Sequence, residues 1–199
     1  MSDPKKTPDS DEVFAGTRSS PIPIDVTLYR ACAMSYAKRN DVISGEGSKK
    51  YGGRWNPPGL FSVAYASFSP NVALNEALGT HKHLQIEPID RLPLVIVALQ
   101  CKLQAVLDLT DASNLRRSRL SWRKIFDEDW EALQAVGLQS ISQRIGRVVF
   151  EKNLEGLIVR SARFPREKNM VIFPERLLPR SIFQVLHVER LPTDMQFGD

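Results

Sequence analysis

Arg30, Arg54, Tyr65, Glu76, Ser161 and Asn169, with Tyr29 beside the first arginine, are the side chains whose types could do chemistry together. Two guanidiniums suit a pyrophosphate, which they grip with paired hydrogen bonds. A tyrosine ring offers a face to a flat heteroaromatic base. A carboxylate beside a ribose can hold its hydroxyls and stabilise an oxocarbenium-like transition state by its charge. Nicotinamide leaves as a neutral base from a cationic ring, so the reaction needs no strong general acid. The inventory matches a nicotinamide dinucleotide consumed as a substrate rather than used as a hydride carrier.

Arg54 lies in the most constrained stretch of the chain, Gly52-Gly53-Arg54-Trp55-Asn56-Pro57-Pro58-Gly59, with Tyr51 just before it. The paired glycines let the backbone approach a ligand closely or take positive φ. Pro-Pro-Gly fixes φ twice and then turns the chain, so neither helix nor central strand continues through it. The stretch is expected to present a cation, an indole and an amide on a stiffened loop. Plainer readings stand beside this one: Trp55 plugging the core, Arg54 in solvent, Glu76 an ordinary exposed helix glutamate.

The elements that must position these residues follow from pattern. Val26 to Ala31 reads as a first strand with Tyr29 and Arg30 on opposite faces. Lys38 to Lys50 reads as a polar loop leading into the Gly-Gly-Arg-Trp turn, and Ser62 to Ala66 as a short strand. Ser69-Pro70 starts a helix running to about Lys82, with Leu74, Ala77, Leu78 and His81 as its core ridge. Leu94 to Leu99 and Ala105 to Leu109 read as two strands, followed by helical segments from Asp111 to Val136. A helix starting at Ser140 or Ser142 precedes strands at Gly156 to Ser161, Asn169 to Phe173 and Ile182 to Val188. Strands at both ends with helices clustered between them indicate an α+β fold.

At 199 residues, with 42% hydrophobic and 25% charged residues, the chain is expected to be one domain over 21–192. A disordered polar arm (1–20) precedes it and a loose tail (193–199) follows. The net charge of +4 permits an anionic ligand without demanding nucleic acid. Cys32 and Cys101 are too few for a disulfide framework, no apolar run spans a bilayer, and the expected compartment is the cytoplasm.

Other chemistries find little support. His81 and His83 end a helix, where residues two apart diverge, and no carboxylate or cysteine cluster completes a metal shell, so no metal is expected. Neither a dinucleotide fingerprint, a phosphate-binding P-loop nor a Gly-x-Ser-x-Gly elbow is present. Arg116, Arg117, Arg119, Arg123 and Lys124 form a basic cluster that reads as a solvated face, or else as a docking surface for an acidic partner or nucleic acid, although no interleaved aromatic beyond Trp122 supports stacking.

The order and wording of the segments add to this reading. Tyr29-Arg30, the Gly52–Gly59 stretch, Tyr65-Ala66-Ser67, the helix bearing Glu76, Gly156 to Ser161 and Asn169 to Phe173 together closely resemble the RES domain, over about Val26 to Val188. The resemblance implies an ADP-ribosyltransferase-like fold, a central mixed or antiparallel sheet with flanking helices. It also implies consumption of NAD⁺ as a substrate with no separate cofactor. Most members are toxins of bacterial toxin–antitoxin pairs that split the nicotinamide–ribose bond by hydrolysis or phosphorolysis, restrained by a helix-turn-helix (Xre-type) antitoxin. A few relatives instead modify a protein, so a mono-ADP-ribosyltransferase acting on a protein or nucleic acid is the alternative, and a non-catalytic binding module the second. A homodimer stays open, and direct DNA binding without the antitoxin is not expected.

Carried over by position, Arg30 and Arg54 would bind the dinucleotide and Tyr65 would pack on it. Glu76 would be catalytic, Ser161 would line the pocket, and Asn169 would join them. One departure is Ala77-Leu78-Gly79-Thr80-His81-Lys82-His83, where the family usually has apolar residues and a single histidine. That leaves the wall beside the carboxylate, and the acceptor, open.

Overall fold

The structure, a computed structural model, describes residues 20–79, 92–117 and 120–191. The expected tail, nearly all of the expected arm, the His81 and His83 pair and Arg119 lie outside the described residues.

The chain forms β1 (Ile22–Ala33), α1 (Arg39–Ser44), α2 (Glu46–Tyr51), β2 (Ala64–Ser67) and α3 (Pro70–Ala77). It continues through β3 (Leu94–Asp108), α4 (Ala112–Arg117), α5 (Trp122–Asp127), α6 (Trp130–Ala135) and α7 (Ile141–Glu151). It ends with β4 (Gly156–Arg160), β5 (Lys168–Ile172) and β6 (Ile182–Val185). The strands lie in the order β1-β2-β5-β4-β3-β6, and β1 also pairs with β3, so five strands close into a barrel with β6 outside the ring. Among the described residues only β3 and β4 pair in parallel. The α+β class with a mixed sheet is as expected.

Two apolar clusters hold this barrel. Leu28, Val97, Leu99, Cys101, Leu103, Ala66, Ile158 and Met170 fill one side of the sheet. Leu157, Val159, Val171 and Phe173 face the other side, against Trp55, Phe61, Ile145, Val148 and Val149. The central strands β4 and β5 are thus buried on both faces, which explains why they read as continuous apolar runs instead of alternating ones. Burial pushes the Cys101 thiol up to about 12, in keeping with an inert core residue.

Several boundaries differ from expectation for physical reasons. Residues 38–50, expected as loop, form α1 and α2, hinged at Gly45 with φ of 71°. A Cβ at Gly45 would stand 2.6 Å from the Val63 carbonyl carbon, so the hinge needs glycine for conformation and for space. The two strands expected at Leu94 to Leu99 and Ala105 to Leu109 are one strand, because Cys101 and Leu103 inward and Lys102 and Gln104 outward carry the alternation across. The described helix after Ser69-Pro70 ends at Ala77, and Val72 and Ala73 are its buried residues in place of the expected ridge. The last strand stops at Val185.

The switch of partners along β3 is managed by a buried charge. One edge of β3 pairs with β6 over Leu99 to Lys102 and with β4 from Val106 onward. Opposite, the β1 register slips between Ile22 and Ile24. The N–H groups of Gln104 and Ala105, left between these ladders, both donate to Glu155 Oε2 at 2.6 and 2.8 Å. Leu178 N–H donates to Oε1 at 3.0 Å, and Glu155 is fully buried.

Candidate active site

The Gly52–Gly59 stretch is a tight turn clamped from three sides. Gly53 N–H donates to the Asn56 carbonyl at 2.8 Å, closing the turn. Tyr65 then reaches in from β2: its hydroxyl donates to Asn56 Oδ1 at 2.8 Å and accepts from Trp55 N–H at 3.0 Å. Asn56 spends its amide hydrogens on the carbonyls of Ser48 and Phe61. From below, α7 supports the turn through its own cap. Ser140 and Gln143 form a reciprocal capping box, and Gln143 Nε2 goes on to donate to the Gly53 carbonyl at 3.1 Å. Gly146 of α7 lets the Trp55 carbonyl approach, since a Cβ there would lie 1.8 Å from that oxygen.

These contacts correct the expectation that the turn displays three groups. Trp55 and Asn56 are buried and structural, and the cation alone is displayed. Arg54 is half-buried, its guanidinium 5.8 Å from the Phe126 ring centre. Burial lowers its pKa; Tyr65, Glu76, Glu131 and Asp129 oppose that shift by charge. Arg54 Nη1 is buried and meets no hydrogen-bond partner among the described residues. Buried donors are almost always paired, so an orphan on a charged side chain marks a place for an acceptor.

Glu76, on the last turn of α3, is held from the strand ends. Ser161, immediately after β4, donates its hydroxyl to Glu76 Oε1 at 2.6 Å. Asn169 of β5 donates its amide to the same oxygen at 2.8 Å, and its own Oδ1 accepts from Ser67 of β2 at 2.7 Å. Ser161 Oγ also accepts from the N–H groups of Arg163 and Phe164, at 3.2 and 3.0 Å. The carboxylate is therefore oriented by four elements. The plain reading of Glu76 as a solvated helix residue does not hold.

Arg30 and Tyr29 take opposite faces of β1, as expected. Tyr29 stands opposite Ser67, on the face that carries Asn169. Arg30 stands opposite Val97 on the face of Leu28, and its Nη1 donates to the Val42 carbonyl at 3.1 Å. Burial lowers the Arg30 pKa, with Cys32 and Tyr65 opposing the shift. Tyr65, expected to lie along a ligand, has its hydroxyl committed to the turn. Burial pushes the pKa of that hydroxyl well up, against the pull of Trp55 N–H, Arg54 and Arg30.

Hydrogen bonds thus join Glu76, Ser161 and Asn169, and charge attraction links Glu76 to Arg54. No such bond ties Arg30 or Tyr29 to the carboxylate among the described residues. Two participants escaped the sequence reading. Ser67 had no signal beyond following Tyr65-Ala66. Arg163, whose Nε lies 3.8 Å from Glu76 Oε2, sits in a polar loop where an arginine is unremarkable. In the basic segment, Arg123 is exposed and pairs with Asp127 one turn on, as on a solvated face.

A closed mixed sheet carrying a carboxylate pinned by a serine and an asparagine, beside a clamped arginine turn, defines the class. Residues 27–194 match the model of the RES domain, and the chain belongs to that family. The NAD(+) phosphorylase MbcT of Mycobacterium tuberculosis is 34% identical over 112 residues, covering 53% of this chain and 58% of that protein. MbcT of Mycobacterium bovis matches with the same values, so the match spans less than two thirds of these relatives. The crystal structure of the M. tuberculosis MbcT–MbcA toxin–antitoxin complex shares the fold. Its TM-score is 0.65 at 24% identity, over 89% of this chain and 88% of that one.

Proposed function

We propose that this chain is an NAD⁺-degrading enzyme that cleaves the nicotinamide–ribose bond, on an ADP-ribosyltransferase-like fold. The observation that carries this is the Glu76 carboxylate, fixed through one oxygen by Ser161 and Asn169, with the orphaned donor of Arg54 in the same charged neighbourhood. Pinning Oε1 leaves Oε2 to meet positive charge as it develops on the ribose. A carboxylate already oriented stabilises that charge without having to reorganise during the reaction. Arg54 supplies a planar fork for the pyrophosphate, Arg30 adds positive charge behind the Tyr65 pillar, and Tyr29 lies on the face of Ser67 and Asn169.

The MbcT likeness supports phosphate as the acceptor in place of water, and the role of a toxin held by an antitoxin. The helix-turn-helix type of that antitoxin is proposed on the family resemblance alone. On this reading the protein works in the cytoplasm, where NAD⁺ and phosphate are abundant. Among the described residues no helix is long and apolar enough to cross a membrane.

Purified protein incubated with NAD⁺ is expected to release free nicotinamide with no macromolecular acceptor, and faster with phosphate present. Following nicotinamide by chromatography tests this. No release from folded, partner-free protein in either buffer would end the NAD⁺-cleaving proposal. Label from NAD⁺ passing only to a protein or nucleic acid would replace it with ADP-ribosyl transfer.

Arg54→Ala is expected to act first on binding. Losing charge-assisted hydrogen bonds to the pyrophosphate costs about 1.5–3 kcal/mol, so KM for NAD⁺ should rise roughly 10- to 100-fold, with a smaller fall in kcat. Initial rates across NAD⁺ concentrations separate the two. An unchanged KM would remove Arg54 from the pyrophosphate.

A further inference from the structure

Glu76 spends Oε1 on Ser161 and Asn169 and turns Oε2 toward Arg163, whose Nε stands 3.8 Å away. That distance is an ion pair without a hydrogen bond, so the guanidinium accompanies the carboxylate without consuming its lone pairs. Arg163 is 43% exposed and Glu76 30%, which places the pair at the mouth of the site. The guanidinium has a seat of its own. A Cβ on Gly79 would stand 2.0 Å from one Nη, 2.5 Å from Cζ and 2.7 Å from Nε, so the guanidinium rests directly against the bare glycine and a side chain at 79 would push it aside. The base of its loop is tied by Ser161 Oγ, which accepts from Arg163 N–H while donating to Glu76. One hydroxyl therefore sets the carboxylate and the arginine against each other.

A negatively charged acceptor cannot approach a ribose carbon beside Glu76 without a cation to offset the repulsion. Arg54 lies in the Gly52–Gly59 turn, and its unpaired donor is assigned to the pyrophosphate. Arg163 is the remaining guanidinium in contact with the carboxylate among the described residues. Its planar fork suits phosphate oxygens better than an ammonium would.

We propose that Arg163, seated on Gly79, is the binding site for inorganic phosphate as acceptor, an inference that rests on the NAD⁺-cleaving reading. When phosphate takes the guanidinium, Glu76 Oε2 is released from its ion pair and is free to face the ribose. The bond between the ribose C1 carbon and the nicotinamide nitrogen then breaks, and its electron pair leaves with neutral nicotinamide. A deprotonated oxygen of hydrogen phosphate donates a pair to that carbon while the proton stays on another of its oxygens, giving a phosphomonoester of ADP-ribose. No oxidant, reductant or further proton is needed. Binding and activation are thereby coupled: the acceptor itself uncovers the catalytic carboxylate.

The test compares the parent with Arg163→Gln, Arg163→Lys and Gly79→Ala. Nicotinamide release is measured across phosphate concentrations, and products are divided into ADP-ribose and its phosphomonoester by phosphorus NMR. In the parent, phosphate should accelerate release and the phosphomonoester should dominate. Arg163→Gln should raise KM for phosphate by about tenfold or more, the loss of a charge-assisted contact, and shift the products toward ADP-ribose. Arg163→Lys should recover part of the affinity, as a point charge without the fork. Gly79→Ala should displace the guanidinium and weaken phosphate in the same direction with Arg163 still present. A parent that releases nicotinamide while Arg163→Gln keeps both the phosphate KM and the product ratio overturns this inference alone. Parent release indifferent to phosphate does the same. Absence of release from the parent under all conditions overturns the NAD⁺-cleaving reading along with it.

Discussion

Glu76→Gln is expected to slow nicotinamide release by roughly a hundredfold or more while leaving NAD⁺ affinity nearly unchanged. The two neutral donors on Oε1, Ser161 at 2.6 Å and Asn169 at 2.8 Å, can be kept by the amide oxygen of glutamine, so the side chain should hold its place. What is lost is the charge. Its nitrogen would then face Arg163, donor against donor, where Oε2 now faces a cation. Removing one oriented electrostatic contact to a transition state costs about 3 kcal/mol, and each 1.4 kcal/mol is tenfold in rate. Affinity should be little affected, because positive charge on the ribose develops only as the bond breaks. Single-turnover release at saturating NAD⁺, with binding measured separately by calorimetry, distinguishes the two effects. A variant turning over at the parent rate would make Glu76 a structural acceptor for Ser161 and nothing more.

Much of this site was legible because its residues carry chemistry in unusual local settings. Arg54 between a glycine pair and Trp-Asn-Pro-Pro-Gly, and Glu76 on a helix opened by Ser69-Pro70, stand out in one dimension. The structure adds how the carboxylate is fixed: Ser161 and Asn169 converge on a single oxygen from two neighbouring strands. What could not be read was the division of labour within the turn. Tyrosine, tryptophan and asparagine look equally suited to touching a ligand, and it is burial that assigns Trp55 and Asn56 to support, with the Tyr65 hydroxyl bonded between them. Arg163 was illegible for the opposite reason. A loop arginine in a chain with 27 lysines and arginines carries no signal until its proximity to Gly79 and Glu76 is seen.

The fold shows the same contrast. Apolar runs at Leu157 to Val159 and Met170 to Ile172 mark strands buried on both faces, and these were recovered to within a residue. The unbroken β3 was missed because Gln100, Lys102 and Gln104 look like an interruption when counted by polarity. They are the outward half of an alternating strand. Helices α1 and α2 are six residues each, too short for any periodicity to declare them.

Glu155→Ala is expected to be the most destabilising single change considered, at about 3–5 kcal/mol, although Glu155 touches no substrate. Its carboxylate accepts from Gln104 and Ala105 on one oxygen and from Leu178 on the other, all within a fully buried position. Those three N–H groups have no ladder to join. Those of Gln104 and Ala105 lie where β3 passes from β6 to β4, and where the β1 register slips. Removing the acceptor leaves up to three donors unpaired at about 1–3 kcal/mol each, with partial relief where water can reach the edge. For a domain of this size about 2–4 °C is lost per kcal/mol, so thermal unfolding should begin about 6–20 °C lower. Glu155→Gln should fall between, since one oxygen remains but an NH₂ group then faces backbone donors. Circular dichroism melts of the three proteins provide the comparison, and a loss below about 1 kcal/mol for the alanine variant would mean the strand switch holds without its carboxylate. The backbone bonds of Glu155 join β3 to β5, its N–H to the Ala105 carbonyl and its carbonyl to Phe173 N–H. Gly156–Arg160 then leads straight to Ser161. Loosening Glu155 should therefore also loosen the serine that orients Glu76, and nicotinamide release should begin to fall at temperatures below the main unfolding transition.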